Sequence, residues 1–177
     1  AYCEYAAKKS RGRTISHLRV WKSPIRAPYL IQKADFVACH NPVYLHKYDM
    51  VQKLKDGGIF LLNCYWQEKD LEESIPGQVK RYITEHHIKF YIIDAIAIGK
   101  EIGLNNKIST ILQAAFFSLI NLLPTEEATR LMKESAAKSY AKKGDDILQM
   151  NYLAIERGMT DVHQVHYPES WLQAKDE

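Results

Sequence analysis

An α/β fold with a mostly parallel sheet, helices on both faces and a helical carboxyl-terminal portion is the architecture this sequence predicts, on three observations. Short apolar runs alternate with helix-like segments at a spacing of roughly 30 residues, the period of a strand–helix repeat. Two of those runs, Ala34–Cys39 (ADFVAC) and Ile59–Asn63 (IFLLN), are apolar almost without alternation, as strands buried on both faces of a parallel sheet are. After Gly103 the strand signals stop and only helical segments follow.

Each element has its own signal. Thr14–Val20 (TISHLRV) alternates with period two and predicts a strand with one polar face. Ala34–Cys39 is the next strand. Asn41 and Pro42, a cap and a first-turn proline, predict a helix over Val43–Leu54, ended by Gly57 and Gly58. Ile59–Asn63 is a strand, and Asp70 is placed to cap a helix that begins Leu71-Glu72-Glu73. Pro76 and Gly77 interrupt that helix, and Gln78–Glu85 continues it. Ile88–Ile93 is a strand, followed by Asp94 as cap, the helix Ala95–Ile102 and Gly103 as stop. Ile108–Leu123 is apolar nearly all round, which places it between the sheet and other helices. Glu126–Lys142 and Ile147–Arg157 complete the series, the last stopped by Gly158. From Thr160 the chain is polar, aromatic and non-periodic. The domain is therefore expected to span 1–159, with 160–177 as an exit linker or docking tail.

Length and composition bound the function. A chain of 177 residues is one domain's worth, and 46% hydrophobic with 25% charged residues is ordinary for a chain with a packed core. The net charge of +3 hides an asymmetry. The first 26 residues carry seven lysines and arginines against Glu4, a net of +6, so the other 151 sum to −3. Three cysteines, with no C-x-x-C spacing, speak against a disulfide scaffold and for a reducing compartment, hence a cytoplasmic protein. The longest apolar stretch, Ile108–Leu123, is interrupted by polar residues and falls short of the ~20 residues a membrane span needs.

No self-contained catalytic machinery is legible. The sequence has no G-x-S-x-G, H-E-x-x-H, Walker loop or G-x-G-x-x-G. Asp49 and Asp94 could serve as general bases, but helix capping places each equally well. His40 follows a buried strand at its carboxyl end, where open α/β sheets bind ligands; a ligand role and a helix-entry hydrogen-bonding role both fit. Cys39 and Cys64 read as core thiols at strand ends. The segment KKSRGRTISHLR is more informative. It joins Lys8, Lys9, Arg11 and Arg13 to Ser10, Gly12, Ser16 and His17, cations and small donors suited to pairing with phosphate or carboxylate oxygens. The same residues also suit a solvated basic edge. One such segment, without stacking aromatics or a recognised module, does not make a nucleic-acid binder.

KKSRGRTISHLRVWKSPIRAPYLIQKADFVACHNPVYLHKYDM resembles the gamma domain of pyruvate:ferredoxin (flavodoxin) oxidoreductases, within the 2-oxoacid:acceptor oxidoreductase family. GGIFLLN, IKFYIIDA, GLNNKISTILQAAFF and SYAKKGDDILQMNYLAIERG continue the likeness in order, from about Tyr5 to Gly158. Arg11 stands where that family usually has glycine. The resemblance implies a Rossmann-like domain whose first strand–helix unit is absent here. It implies one part of a large enzyme that decarboxylates a 2-oxo acid, passes electrons through iron–sulfur clusters to ferredoxin or flavodoxin, and forms an acyl-CoA. Thiamine diphosphate and the clusters would sit on other domains or subunits, leaving no catalytic residue, metal or cofactor on this chain alone and no turnover when it is isolated. Lys8, Lys9, Ser10, Gly12, Ser16, His17 and Arg19 occupy the matching strings and are the candidate residues for coenzyme A, another anion or a partner interface. The competing expectation is a non-catalytic α/β binding or scaffolding module that uses this basic edge. Neither involves nucleic acid or a membrane.

Overall fold

The computed structural model describes residues 2–10, 13–21, 34–104, 107–121 and 123–176, with their side chains from residue 34 onward. The chain divides into two units, Ala1–Ala34 and Asp35–Glu177. In the first, β1 (Tyr2–Ser10) and β2 (Arg13–Trp21) pair antiparallel, from Tyr2 opposite Trp21 to Ser10 opposite Arg13. The expected strand Thr14–Val20 lies inside β2. Strand β1 has no period-two pattern of its own. Its pairing is signalled only by Arg11-Gly12, a two-residue connection ending in glycine of the kind that joins hairpin strands.

In the second unit the sheet has the order β3 (Ala34–Cys39), β4 (Leu54–Asn63), β5 (Lys89–Ile93), β6 (His163–Gln164). Asp35 lies beside Gly58 at one end of β3, and the His40 carbonyl meets Asn63 Nδ2 at 3.1 Å at the other, so β3 and β4 run the same way. β4 and β5 are parallel in register from Ile59 opposite Lys89 to Asn63 opposite Ile93. β6 is antiparallel to β5. Alternation along these strands sorts two cores. Val37, Cys39, Phe60, Leu62, Phe90 and Ile92 pack on one face with Leu45, Leu71, Val79 and Ile83. Phe36, Ala38, Leu61, Tyr91 and Ile93 pack on the other with Ile98, Ile111, Leu112, Ala115 and Ala154. The first face is covered by α1 (Tyr44–Lys47), α2 (Leu71–Ser74) and α3 (Gly77–Glu85). The second is covered by α4 (Ala95–Ile102), α5 (Ser109–Ile120) and α7 (Asp145–Thr160), with α6 (Thr125–Tyr140) packed on the helical layer. Among the described residues no helix is long and apolar enough to cross a membrane.

Four expectations are corrected. The helix expected over Val43–Leu54 is a single turn, because Tyr48 is extended (φ −138°, ψ 146°) and β4 begins at Leu54. β4 runs through Gly57 and Gly58, and Gly57 takes a φ of +72° that L-residues rarely adopt. Asp70 does not cap α2; its carboxylate accepts the Gln67 N–H at 3.1 Å and closes the preceding 3-10 turn. Gly158 does not stop α7 but lies inside it at the crossing with α5, where a β-carbon would stand 2.4 Å from the Ile111 carbonyl oxygen.

Residues 160–177, which the sequence reads as an exit linker or a docking tail, pack against the rest of the second unit. β6 extends the sheet, Val165 and Trp171 are buried, and the Tyr167 hydroxyl donates to the Ile88 carbonyl at 2.6 Å. Tyr167 stacks on Trp171 with ring centroids 5.5 Å apart, and Trp171 Nε1 donates to Glu72 at 2.5 Å. Arg81 holds the Ala174 carbonyl and the Asp176 carboxylate. The apolar residues of this strap are spaced irregularly because a two-residue strand and a 3-10 turn (Glu169–Gln173) give no periodicity to read.

Candidate functional site

Two places carry the residues singled out from sequence. The first is the crest formed by the carboxyl ends of β3, β4 and β5. Asn63, buried at the end of β4, donates from Nδ2 to the His40 carbonyl at 3.1 Å and accepts at Oδ1 from the Ala95 N–H at 3.0 Å. One amide therefore ties the end of β3 to the start of α4, and both halves of it are used. Asp94 Oδ1 accepts the Ala97 N–H at 3.0 Å, which makes it the expected cap of α4. The Cys39 thiol donates to the Asn41 carbonyl at 3.0 Å. Burial pushes both thiols, Cys39 and Cys64, up to about 11. Burial also holds the His40 imidazole below its ordinary value.

The chemistry of the crest follows from these bonds. Protonated thiols are poor nucleophiles. Among the described residues no group of three or more His, Cys, Asp or Glu is placed to hold a metal ion. Among the described residues, strand order does not reverse between β3, β4 and β5. The crest is a brace that fixes three strand ends. Asn63 is not among the residues the sequence singles out; its signal is one polar residue closing an apolar strand.

The second place is the β1–β2 ribbon. Register puts Lys8 opposite Ile15, Lys9 opposite Thr14 and Ser10 opposite Arg13, the three rows next to the connection. Ser16 and His17 follow, opposite Ala7 and Ala6, and Arg19 lies opposite Glu4. Gly12 falls outside the described residues. Rows from Ser10–Arg13 to Glu4–Arg19 extend six steps, about 20 Å at strand rise. The ribbon thus brings Lys8, Lys9 and Ser10 together in adjacent rows and separates Arg19 from them by more than the width of one phosphate or carboxylate. At the other end the rows Tyr2–Trp21, Cys3–Val20 and Tyr5–Leu18 pair apolar with apolar.

Comparison with known proteins decides the family. Residues 1–160 match the family described as pyruvate ferredoxin/flavodoxin oxidoreductase. The chain belongs to that family. It is 47% identical over 176 residues to the pyruvate:ferredoxin oxidoreductase of Moorella thermoacetica, covering 99% of this chain and 15% of that protein. It is 43% identical, again over 176 residues, to the pyruvate-flavodoxin oxidoreductase of Enterobacter agglomerans, with the same coverage. The chain thus spans about a seventh of the length of these relatives. Among solved structures it resembles pyruvate oxidoreductase subunit PORC of Thermotoga maritima, with a TM-score of 0.67, 15% identity, and coverage of 93% of this chain and 82% of that one. That likeness shows a shared fold.

Proposed function

We propose that this chain is the gamma-type domain of a 2-oxo acid oxidoreductase acting on pyruvate. The whole enzyme would use thiamine diphosphate, iron–sulfur clusters and coenzyme A, and would pass electrons to ferredoxin or flavodoxin. The observation that carries the reading is 47% identity across nearly the whole chain to a pyruvate:ferredoxin oxidoreductase. The domain's own share is architectural. Lys8, Lys9, Ser10, Gly12, Ser16, His17 and Arg19 serve as the edge toward coenzyme A or an adjoining domain. No residue of this chain is assigned a bond-making step; the thiamine and the clusters belong to the remaining domains.

The full-length protein tests this reading. With pyruvate, thiamine diphosphate and coenzyme A it should reduce ferredoxin or flavodoxin, and no pyruvate-dependent reduction would refute it. The basic edge is tested separately by changing Lys8, Lys9 and Arg19 to alanine in that enzyme. Weakened coenzyme A affinity or weakened assembly supports the edge; both unchanged rejects it.

A further inference from the structure

We propose that the trough between the start of β5 and the strap beyond Thr160 is a binding site for a small phosphate-type anion, held by His87, Lys89 and His166. The site is independent of the oxidoreductase reading and lies wholly within the second unit.

The sequence holds two close histidine pairs, His86-His87 and His163-x-x-His166. One member of each is taken by a carboxylate: His86 Nδ1 meets Asp56 at 2.5 Å, and His163 Nε2 meets Glu68 at 2.7 Å. The other two come together. His87 and His166 line one open trough of about 290 Å³ with Lys89, Gln164 and Tyr167. Pairing of β6 on β5 brings them there. Gln164 lies opposite Tyr91, the Val165 N–H donates to the Phe90 carbonyl at 2.8 Å, and the Tyr167 hydroxyl donates to the Ile88 carbonyl at 2.6 Å. His87 is placed at a cost. It follows the end of α3 with a φ of +53°, at a position where glycine or asparagine is usual, and strain of this kind collects at binding sites.

Charge selects the ligand. No aspartate or glutamate lines the trough. Among the described residues, no hydrogen bond or ion pair engages the side chains of His87, Lys89 or Gln164. Glu68 is already satisfied by the His163 ring and by the His166 N–H at 2.9 Å. An ammonium beside two imidazoles repels a metal ion, and among the described residues no third ligand joins them. Toward an anion the same groups act as donors: the Lys89 ammonium, two imidazole N–H groups and the Gln164 amide. Bonds from cations to anionic oxygens are the strong ones. A carboxylate offers two oxygens in one plane. A phosphate offers oxygens in several directions, which suits donors arriving from two separate chain segments.

The test uses the full-length enzyme and inorganic phosphate. Diethyl pyrocarbonate acylates accessible imidazoles, and mass spectrometry of the peptides reads each histidine separately. With a dissociation constant on the order of 1 mM, about 10 mM phosphate should slow modification of His87 and His166 roughly tenfold. His46, exposed and outside the trough, should react at an unchanged rate. Sodium chloride at equal ionic strength should protect neither histidine. Lys89→Gln should abolish the protection and Lys89→Arg should keep most of it. Lys89 is exposed, and slow amide exchange in β4 and β5 shows that both variants remain folded. Glycerol phosphate, run in parallel, separates the sources: stronger protection than by phosphate assigns the site to a phosphate ester, and equal or weaker protection assigns it to the free ion. Unslowed modification of His87 and His166 in phosphate would overturn the proposal. Equal protection by chloride, equal protection of His46, or protection that survives Lys89→Gln would overturn it as well.

Discussion

Replacing Gly158 by alanine should destabilise the protein, although helix propensity predicts the opposite. Gly158 lies where α7 crosses α5, and an added β-carbon would stand 2.4 Å from the Ile111 carbonyl oxygen and 2.6 Å from Ala114 Cβ. Carbon contacts are comfortable at about 3.5–4.0 Å, so the helices must part by on the order of 1 Å. Neither obstacle can swing aside, one being main chain and the other a methyl fixed to it. The surrounding Ile111, Ala114, Ala154 and Ile155 are buried, so a shift opens the packing on both sides. Overpacking of this kind costs about 1–3 kcal/mol, and a rigid backbone obstacle puts this site at or above the upper end. Alanine recovers about 1 kcal/mol of propensity over glycine. The net expectation is a loss of about 2 kcal/mol, or about 4–8 °C in melting temperature for a domain of this size. Thermal unfolding followed by far-ultraviolet circular dichroism measures it. An unchanged or higher melting temperature would refute the close-crossing account of α5 and α7.

Four further outcomes follow from the same structure. Asn63→Ala leaves the His40 carbonyl and the Ala95 N–H without their partner, and should cost about 2–4 kcal/mol in denaturant unfolding. Trp171→Ala removes a buried ring of the strap and should cost about 3–5 kcal/mol, while Trp171→Phe, which gives up mainly the bond to Glu72, should cost about 1 kcal/mol. Cys39 and Cys64, held near 11 by burial, should resist iodoacetamide at mildly alkaline pH in the native protein and label quickly after unfolding, as read by mass spectrometry of their peptides. Glu68 is held below the usual glutamate value by its bond to the His163 ring and then by the His166 N–H. A carboxyl lowered in the folded state contributes stability that is complete above its unfolded value and fades as pH falls through the folded one. Amide exchange at residues 164–167 should therefore quicken below about pH 4, before the rest of the sheet loosens, and Glu68→Ala should show the quickening at neutral pH.

The legible parts of the fold are those where a local signal and a tertiary one agree. Ala34–Cys39 and Ala95–Ile102 are readable to the residue, since an apolar run fixes a two-faced strand and Asp94 and Gly103 bound one helix. Asn41 and Pro42 mislead in the opposite way. They do begin a turn, with the Asn41 side chain accepting the Val43 N–H at 3.1 Å, but packing of Leu45 and Val51 ends the helix within one turn. Gly158 misleads because a glycine inside a helix and a glycine after one look alike until the neighbouring helix is in place. The strap beyond Thr160 is illegible because its burial depends on the α3 surface and the edge of β5, contacts remote in sequence. For the site, the sequence locates the basic residues, and the register then shows which of them are neighbours and that Arg19 is not among them.

The central claim is that this chain is a working part of an enzyme that oxidatively decarboxylates pyruvate. A product balance on the full-length protein tests it most directly. With pyruvate, coenzyme A and ferredoxin supplied, carbon dioxide and acyl-CoA should appear in equal amounts, with one electron pair delivered to the acceptor for each. Carbon dioxide release without acyl-CoA formation, or acceptor reduction that does not consume pyruvate, would contradict the account.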